Sequence, residues 1–250
     1  MKEMLKFELR KLLRMKSLYV CAALLVLQIF LMTSVMSGSR IHVDGEVTKP
    51  AMWSLLLSAA GLIPIPLAIF ASVYAVCDFS EETIKTILSK GYSRTQRYFS
   101  QIIMLVAVCV VYFLVSELSS VIFGAIYLRR VMRDGILLSI FFQLPVIIAY
   151  GVFFFSIASL FKGMGGAIAT TVFLDVPILP LLFDFVNGCF SKQLDEAGID
   201  LTDYWLRSMV ISLQKIELTD KIIATALIGS AIYFIIFVAI GYLIARRREV

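Results

Sequence analysis

The chain has 250 residues, of which 60% are hydrophobic and 16% charged, with a mean hydropathy of +0.92. Soluble domains carry about 25% charged residues, so this composition excludes a water-soluble globule and makes lipid the solvent. The net charge of +5 does not mark a nucleic-acid binder, because the basic residues flank apolar runs and no soluble basic domain accompanies them.

Residues 1–16, MKEMLKFELRKLLRMK, set Lys2, Lys6, Arg10 and Arg14 four apart, while Met4, Leu5, Leu9, Leu12 and Leu13 gather on another face. That spacing predicts an amphipathic helix lying in the membrane interface, either a basic anchor or part of a gate. The run from Ser17 to Ser39 is free of charge. It exceeds the roughly 7 to 15 residues of a signal-peptide core, and no clear small-x-small cleavage site precedes the next loop, so a retained span is expected.

A helix needs about 20 apolar residues to cross a hydrocarbon core roughly 30 Å thick. By that measure spans are expected at 17–37, 53–77, 99–128, 136–161, 165–187 and 222–245. The third is interrupted only by Glu117 and the fifth only by Asp175 and Asp184. The expected fold class is therefore all-α: a single polytopic membrane domain over residues 1–250, with six transmembrane helices behind an N-terminal interfacial helix.

Between the first two spans, GSRIHVDGEVTKPAMW reads as a short, turn-rich outer loop with Trp53 as an interface anchor. Pro64 and Pro66 predict a bend near the outer end of the second span. Next comes CDFSEETIKTILSKGYSRTQRYFS, a charged insert between two apolar stretches. Ser80 is a candidate N-cap, Glu81 and Glu82 fall in a first turn, Lys85 and Lys90 lie toward the end, and Gly91 is a stop. A capped helix is expected over 80–90, with Ile84, Ile87 and Leu88 as its apolar side, and SRTQRYFS begins a second helical segment leading into the membrane. A plain connector needs only a few residues, so a structured one implies that something docks on it.

Each intramembrane acid costs about 2.5–3.5 kcal/mol on insertion scales and faces a cavity or a partner. Glu117, Asp175 and Asp184 are therefore the polar candidates, whether as members of a path or as hydrogen-bond partners of a neighbouring span. Asp175 stands out, because Pro177 and Pro180 follow it and predict a kinked or broken fifth span. Phe153, Phe154 and Phe155 in the fourth span suit lipid contact as well as an amphipathic path. In the last outer segment, about 190–219, Tyr204, Trp205, Leu206, Met209, Val210, Leu213 and Ile216 recur at helical spacing, predicting short helices on or in the outer leaflet.

Six spans put both ends on one side. With cytoplasmic termini, Lys2, Lys6, Arg10, Lys11, Arg14, Lys16, Lys85, Lys90, Arg94, Arg97, Lys162, Arg246, Arg247 and Arg248 lie inside, 14 of the 23 basic residues. Arg129, Arg130 and Arg133 run against this bias, since they then face outward beside Asp134. Cys21, Cys77 and Cys109 lie in or at the edge of spans and Cys189 outside them, so no disulfide framework is implied.

A membrane enzyme is disfavoured. The pair Glu81 and Glu82 has the look of an intramembrane CAAX-type protease motif, yet such enzymes need histidines in the membrane, and the single histidine, His42, sits in an outer loop. No G-x-x-x-x-G-K-[ST] occurs, and KGMGGAIATT has its glycines and lysine in the wrong order for a phosphate cradle. No catalytic residue, metal ligand or cofactor site is expected. An ion-coupled secondary transporter or channel using Glu117 and Asp175 is the alternative.

Taken together, the basic amphipathic start, the six spans, Glu-Thr-Ile-Lys followed by Leu-Ser-Lys-Gly-Tyr-Ser-Arg in the first inner loop, and the helical outer segment resemble the type-2 ABC exporter permeases. More narrowly, they resemble the stand-alone bacterial permeases of peptide export or antimicrobial-peptide immunity. The resemblance spans nearly the whole chain, though only the inner-loop stretch is motif-like. It implies a permease of the cell membrane that exports a peptide or other amphipathic compound with ATP hydrolysed by a separate ABC ATPase subunit. It also implies a second permease copy or paralogue as dimer partner, in contact with membrane lipid. Glu82, Thr83, Ile84, Lys85, Thr86, Ile87, Leu88 and Ser89 would form the coupling helix that seats in the ATPase. Members of that family often carry Gly where this chain has Glu82.

Overall fold

The computed structural model describes residues 2–39, 41–43, 46–48, 50–80, 93–131, 135–189, 201–215 and 219–247. Helix α1 (Lys2–Arg14) turns at Met15 into α2 (Lys16–Gly38). Met4, Glu8 and Leu12 are its buried stripe, one residue in four, and α1 lies against the third span while Leu9 and Leu13 stay exposed on another face.

Where the sequence reads as a turn-rich loop, the chain forms an antiparallel hairpin of β1 (Ile41–Val43) and β2 (Glu46–Thr48), with Ile41 opposite Thr48. Three β-branched residues among the six, Ile41, Val43 and Val47, and a fourth in Thr48, favour this local exception to an all-helical chain. The next crossing consists of α3 (Met52–Ala59), a 3-10 turn (Ala60–Leu62) and α4 (Pro64–Ser80). The break precedes the prolines. Pro64 opens α4, at the position where a missing N–H breaks no helical hydrogen bond.

Helix α5 (Arg94–Tyr127) has 34 residues. At 1.5 Å per residue it is about 51 Å long and outruns the hydrocarbon core by roughly 20 Å. The stretch SRTQRYFS is thus the start of this helix, which continues into the membrane as expected. Ser93 sets the start with a capping box: its Oγ accepts from the Gln96 amide at 3.1 Å, and the Gln96 side chain accepts from the Ser93 amide at 3.4 Å.

The remaining elements are α6 (Ile136–Ala158), α7 (Met164–Phe173), a π-helical turn (Leu174–Ile178), α8 (Leu179–Cys189), a 3-10 turn (Leu201–Tyr204), α9 (Leu206–Leu213) and α10 (Asp220–Arg247). Among the described residues, five stretches are long and apolar enough to cross a membrane: Lys16–Gly38, Met52–Cys77, Arg94–Tyr127, Ile136–Ala158 and Asp220–Arg246. A further crossing-length stretch, α7 through α8, runs without interruption but changes winding in its middle.

Helix α6 is the hub, packed on α10, α4 and α5. Gly151 permits the approach to α5, since a Cβ there would run into the Cys109 sulfur. Lipid offers no hydrophobic drive between helices, so close packing and interhelical hydrogen bonds hold them. Tyr98 of α5 donates to the Val238 carbonyl at 2.9 Å, and Ser156 of α6 donates to Phe237 at 2.7 Å, fastening both to α10. Tyr112 donates to Leu18 of α2 at 3.0 Å. Ser72 of α4 meets Thr171 of α7 at 2.8 Å. Because Thr171 gives its own proton to the Ala167 carbonyl, Ser72 is the donor there. The outward faces are apolar, with Leu118, Ile122 and Ile126 on α5 and Ile228, Ile232 and Ile235 on α10.

At one end of the bundle, the chain leaving α5 pairs with the chain entering α3. Met52 N–H donates to Arg129 O at 2.9 Å and Arg129 N–H donates to Pro50 O at 3.3 Å. Arg129 and the loop before α3 therefore share one face of the membrane.

Candidate functional site

Asp175 lies in the π-helical turn and is 1% exposed. A π turn carries one residue more than an α turn, which leaves a backbone carbonyl without its regular partner and re-aims the side chains around it. It falls in LDVPI, where Pro177 also removes an amide donor, so the local sequence itself disfavours regular α winding.

The carboxylate meets Arg207, the second residue of α9, with Nη1 3.6 Å from Oδ2. That separation is an ion pair but too long for a hydrogen bond, and both carboxylate oxygens lack a hydrogen-bond partner among the described residues. The Tyr150 hydroxyl on α6 is the other polar neighbour of Asp175. The Arg207 side chain is 43% exposed, so the pair joins a dry carboxylate to a cation that reaches the surface.

An aromatic cluster adjoins this pair through Tyr150. Trp205 stands edge-on to Tyr150, Phe153 and Tyr233 at centroid distances of 6.1, 5.5 and 6.1 Å, and Phe153 meets Phe237 edge-on at 4.8 Å. Leu206, Met209, Val210 and Leu213 are buried, so α9 turns its apolar face onto α6 and α10 rather than toward the outer leaflet. The segment before the last span is thus wedged into the bundle, and its Arg207 is the link to the broken helix.

The cluster can store a conformational choice. A buried carboxylate repays its desolvation only when its pairing and hydrogen bonds are good, and Asp175 has one long ion pair and no hydrogen bond to its oxygens among the described residues. The arrangement has a small energetic margin over one in which Arg207 faces water and Asp175 is rehydrated or repaired elsewhere.

Of the other sequence candidates, only the Glu117 side chain is described. Glu117 sits in α5 with both carboxylate oxygens buried and without a hydrogen-bond partner among the described residues. Asp184 is on α8, but its side chain lies outside the described residues, as do Glu82, Thr83, Ile84, Lys85, Thr86, Ile87, Leu88 and Ser89 entirely. The ends of that segment are placed: α4 closes at Ser80 and α5 opens at its Ser93 cap.

Sequence reasoning missed Arg207 and Tyr150, which carry no local signal, and it missed Glu8. Glu8 is fully buried on α1, accepts a hydrogen bond from Tyr74 at 2.9 Å, and lies 3.6 Å from Lys11. Lys11 in turn sits 5.0 Å over the Tyr74 ring. An acid among four cations at helical spacing was the available signal, since it falls on the Met4 and Leu12 stripe.

The family model described as ABC-2 family transporter protein matches residues 4–188. The chain belongs to the ABC-2 transporter family. No curated protein matches it. Family membership makes this ABC-2 protein the membrane component of an ABC transporter, which is not itself the ATPase and works with an ABC ATPase subunit. The matched stretch contains all but the first two residues of α1, the 82–89 segment and Asp175, whereas Arg207 and α10 lie beyond it.

Proposed function

We propose that this ABC-2 permease is an exporter subunit that moves a peptide or other amphipathic compound out of the cell. In this reading six spans cross the cell membrane with both termini in the cytoplasm, and a second permease copy or paralogue completes the transporter. Residues Glu82–Ser89 form the coupling helix that seats in the ATPase. The observation that supports coupling most directly is Asp175: a buried carboxylate at a change of helix winding, loosely tied to the Arg207 of the following outer segment.

Mechanistically, ATP binding shifts the permease between two states only through a difference in affinity for them. The ATPase closes on the 82–89 helix, the flanking helices α4 and α5 move with it, and α7 follows α4 through the Ser72 and Thr171 hydroxyls. The turn at Asp175 then absorbs the movement by loosening or tightening its pair with Arg207, which shifts α9 and opens the outer end. Glu117 is the observation that favours the ion-coupled alternative, because its carboxylate is unpaired within a span.

The test is co-purification. The protein is extracted in mild detergent from its native cells, alone and with Ile84→Asp and Ile87→Asp. A P-loop ATPase that accompanies the wild type and is lost from both variants supports the reading. If no ATPase accompanies the intact protein in any of several detergents, the coupling-helix assignment is wrong and Glu117→Gln in an ion-driven uptake assay is the next measurement.

A further inference from the structure

A cavity of about 680 Å³ opens where α1 meets the start of α2, the last turns of α4 and the start of α7. Four cations stand on its wall, Arg10, Lys11, Arg14 and Lys16, and no acidic side chain does among the described residues. Glu8, the acid on this part of α1, is buried and already engaged by Tyr74 and Lys11. Like charges converging on one hollow repel each other unless an anion occupies it. Arg10, Arg14 and Lys16 make no ion pair or hydrogen bond with any described residue.

The rest of the wall is apolar, with Phe7, Met15, Val73 and Met164. Met164 is the first residue of α7, and Gly163, the residue before it, supplies no side-chain cap. Gly165 has open space where a Cβ would stand. The KGMGG stretch, rejected above as a nucleotide cradle, thus brings an uncapped helix N-terminus, with its unpaired amides and positive dipole end, to the same hollow.

We propose that this cavity binds the phosphodiester headgroup of an anionic phospholipid, with the acyl chains leaving past Phe7, Met15 and Val73. The occupant follows from depth as well as charge. Exposed Leu9 and Leu13 immerse α1 in the leaflet, so the hollow beside it lies at headgroup level, where a molecule with an anionic head and apolar tails is at hand. A soluble phosphate would leave the apolar wall without a partner. The bound lipid bridges α1 to the starts of α2 and α7, and so links membrane composition to the half of the molecule that carries Asp175. The inference rests on the interfacial placement of α1 and not on what the transporter exports.

The test uses the full-length protein in nanodiscs of phosphatidylcholine with a minor fraction of phosphatidylglycerol, and native mass spectrometry to count retained lipids. The wild type is expected to retain phosphatidylglycerol in preference to phosphatidylcholine. Arg10→Gln with Arg14→Gln is expected to weaken that retention roughly thirtyfold, since each cation near a lipid surface is worth about fivefold in affinity. Lys6→Gln with Arg246→Gln removes the same charge away from the described wall and is expected to change it less than about twofold. Equal loss in both double variants means diffuse surface attraction and overturns the site. Displacement by millimolar inorganic phosphate means a soluble-anion site and overturns the lipid assignment. An independent readout on the wild type is arginine-directed glyoxal labelling of Arg10 and Arg14, which phosphatidylglycerol should slow; equal labelling in pure phosphatidylcholine counts against the proposal.

Discussion

Arg207→Gln is the most informative single change, because it leaves Asp175 in place without its cation. Removing one partner of a fully buried pair costs about 3–5 kcal/mol. Here the separation is 3.6 Å and Arg207 is 43% exposed, so water can reach part of the gap and the expected cost falls to about 2–3 kcal/mol. For a chain of this size that is a drop of roughly 4–12 °C in Tm. Asp175→Asn removes the buried charge itself and is expected to be nearly neutral for stability, and the double variant should resemble Asp175→Asn alone. The cycle is measured by thermal unfolding in detergent, in parallel with transport and stimulated ATPase activity after reconstitution with the ATPase subunit. All three variants should lose coupling, with ATP hydrolysed but less substrate moved. Stability effects that add to within about 0.5 kcal/mol would show that the two residues do not interact. Unchanged transport and ATPase stimulation in Asp175→Asn would sink the coupling role.

Gly151→Ala should destabilise the fold by about 1–3 kcal/mol, because the new methyl meets the buried Cys109 sulfur across the α5 and α6 contact; adding Cys109→Ala should restore most of the lost Tm. Independent suppression by a change elsewhere in α5 would count against that contact. Topology can be read with a membrane-impermeant thiol reagent in a background where the native cysteines are replaced: Ala51→Cys and Arg129→Cys should label from the same side, joined as their strands are, and Arg246→Cys from the other. Labelling of Ala51→Cys and Arg129→Cys from opposite sides would refute the shared face.

Much of the helical architecture is legible locally. Charge-free runs of crossing length, an amphipathic start and the Ser93 box each reflect energies set by neighbours within a turn or two, namely transfer from water, backbone capping and helical periodicity. The change of winding around Asp175 is legible for the same reason, since an acid followed by Pro177 and Pro180 conflicts with a regular apolar helix over a few residues. Local pattern was less informative at 41–48, where a hairpin forms in place of a loose turn.

What no reading along the chain supplies is partnership across distance. Asp175 and Arg207 belong to different helices, and neither residue's neighbours announce the other; Tyr150 joins them from a third. The same holds for Glu8 and Tyr74, and for the four cations that converge with the α7 N-terminus on one hollow. The helices and their lipid-facing sides follow from the amino-acid order, because burial in lipid is a sum over local residues. Which polar groups meet inside the bundle depends on the packing of α6 against its neighbours, through contacts such as Gly151 on Cys109, and that is decided only when the tertiary structure closes.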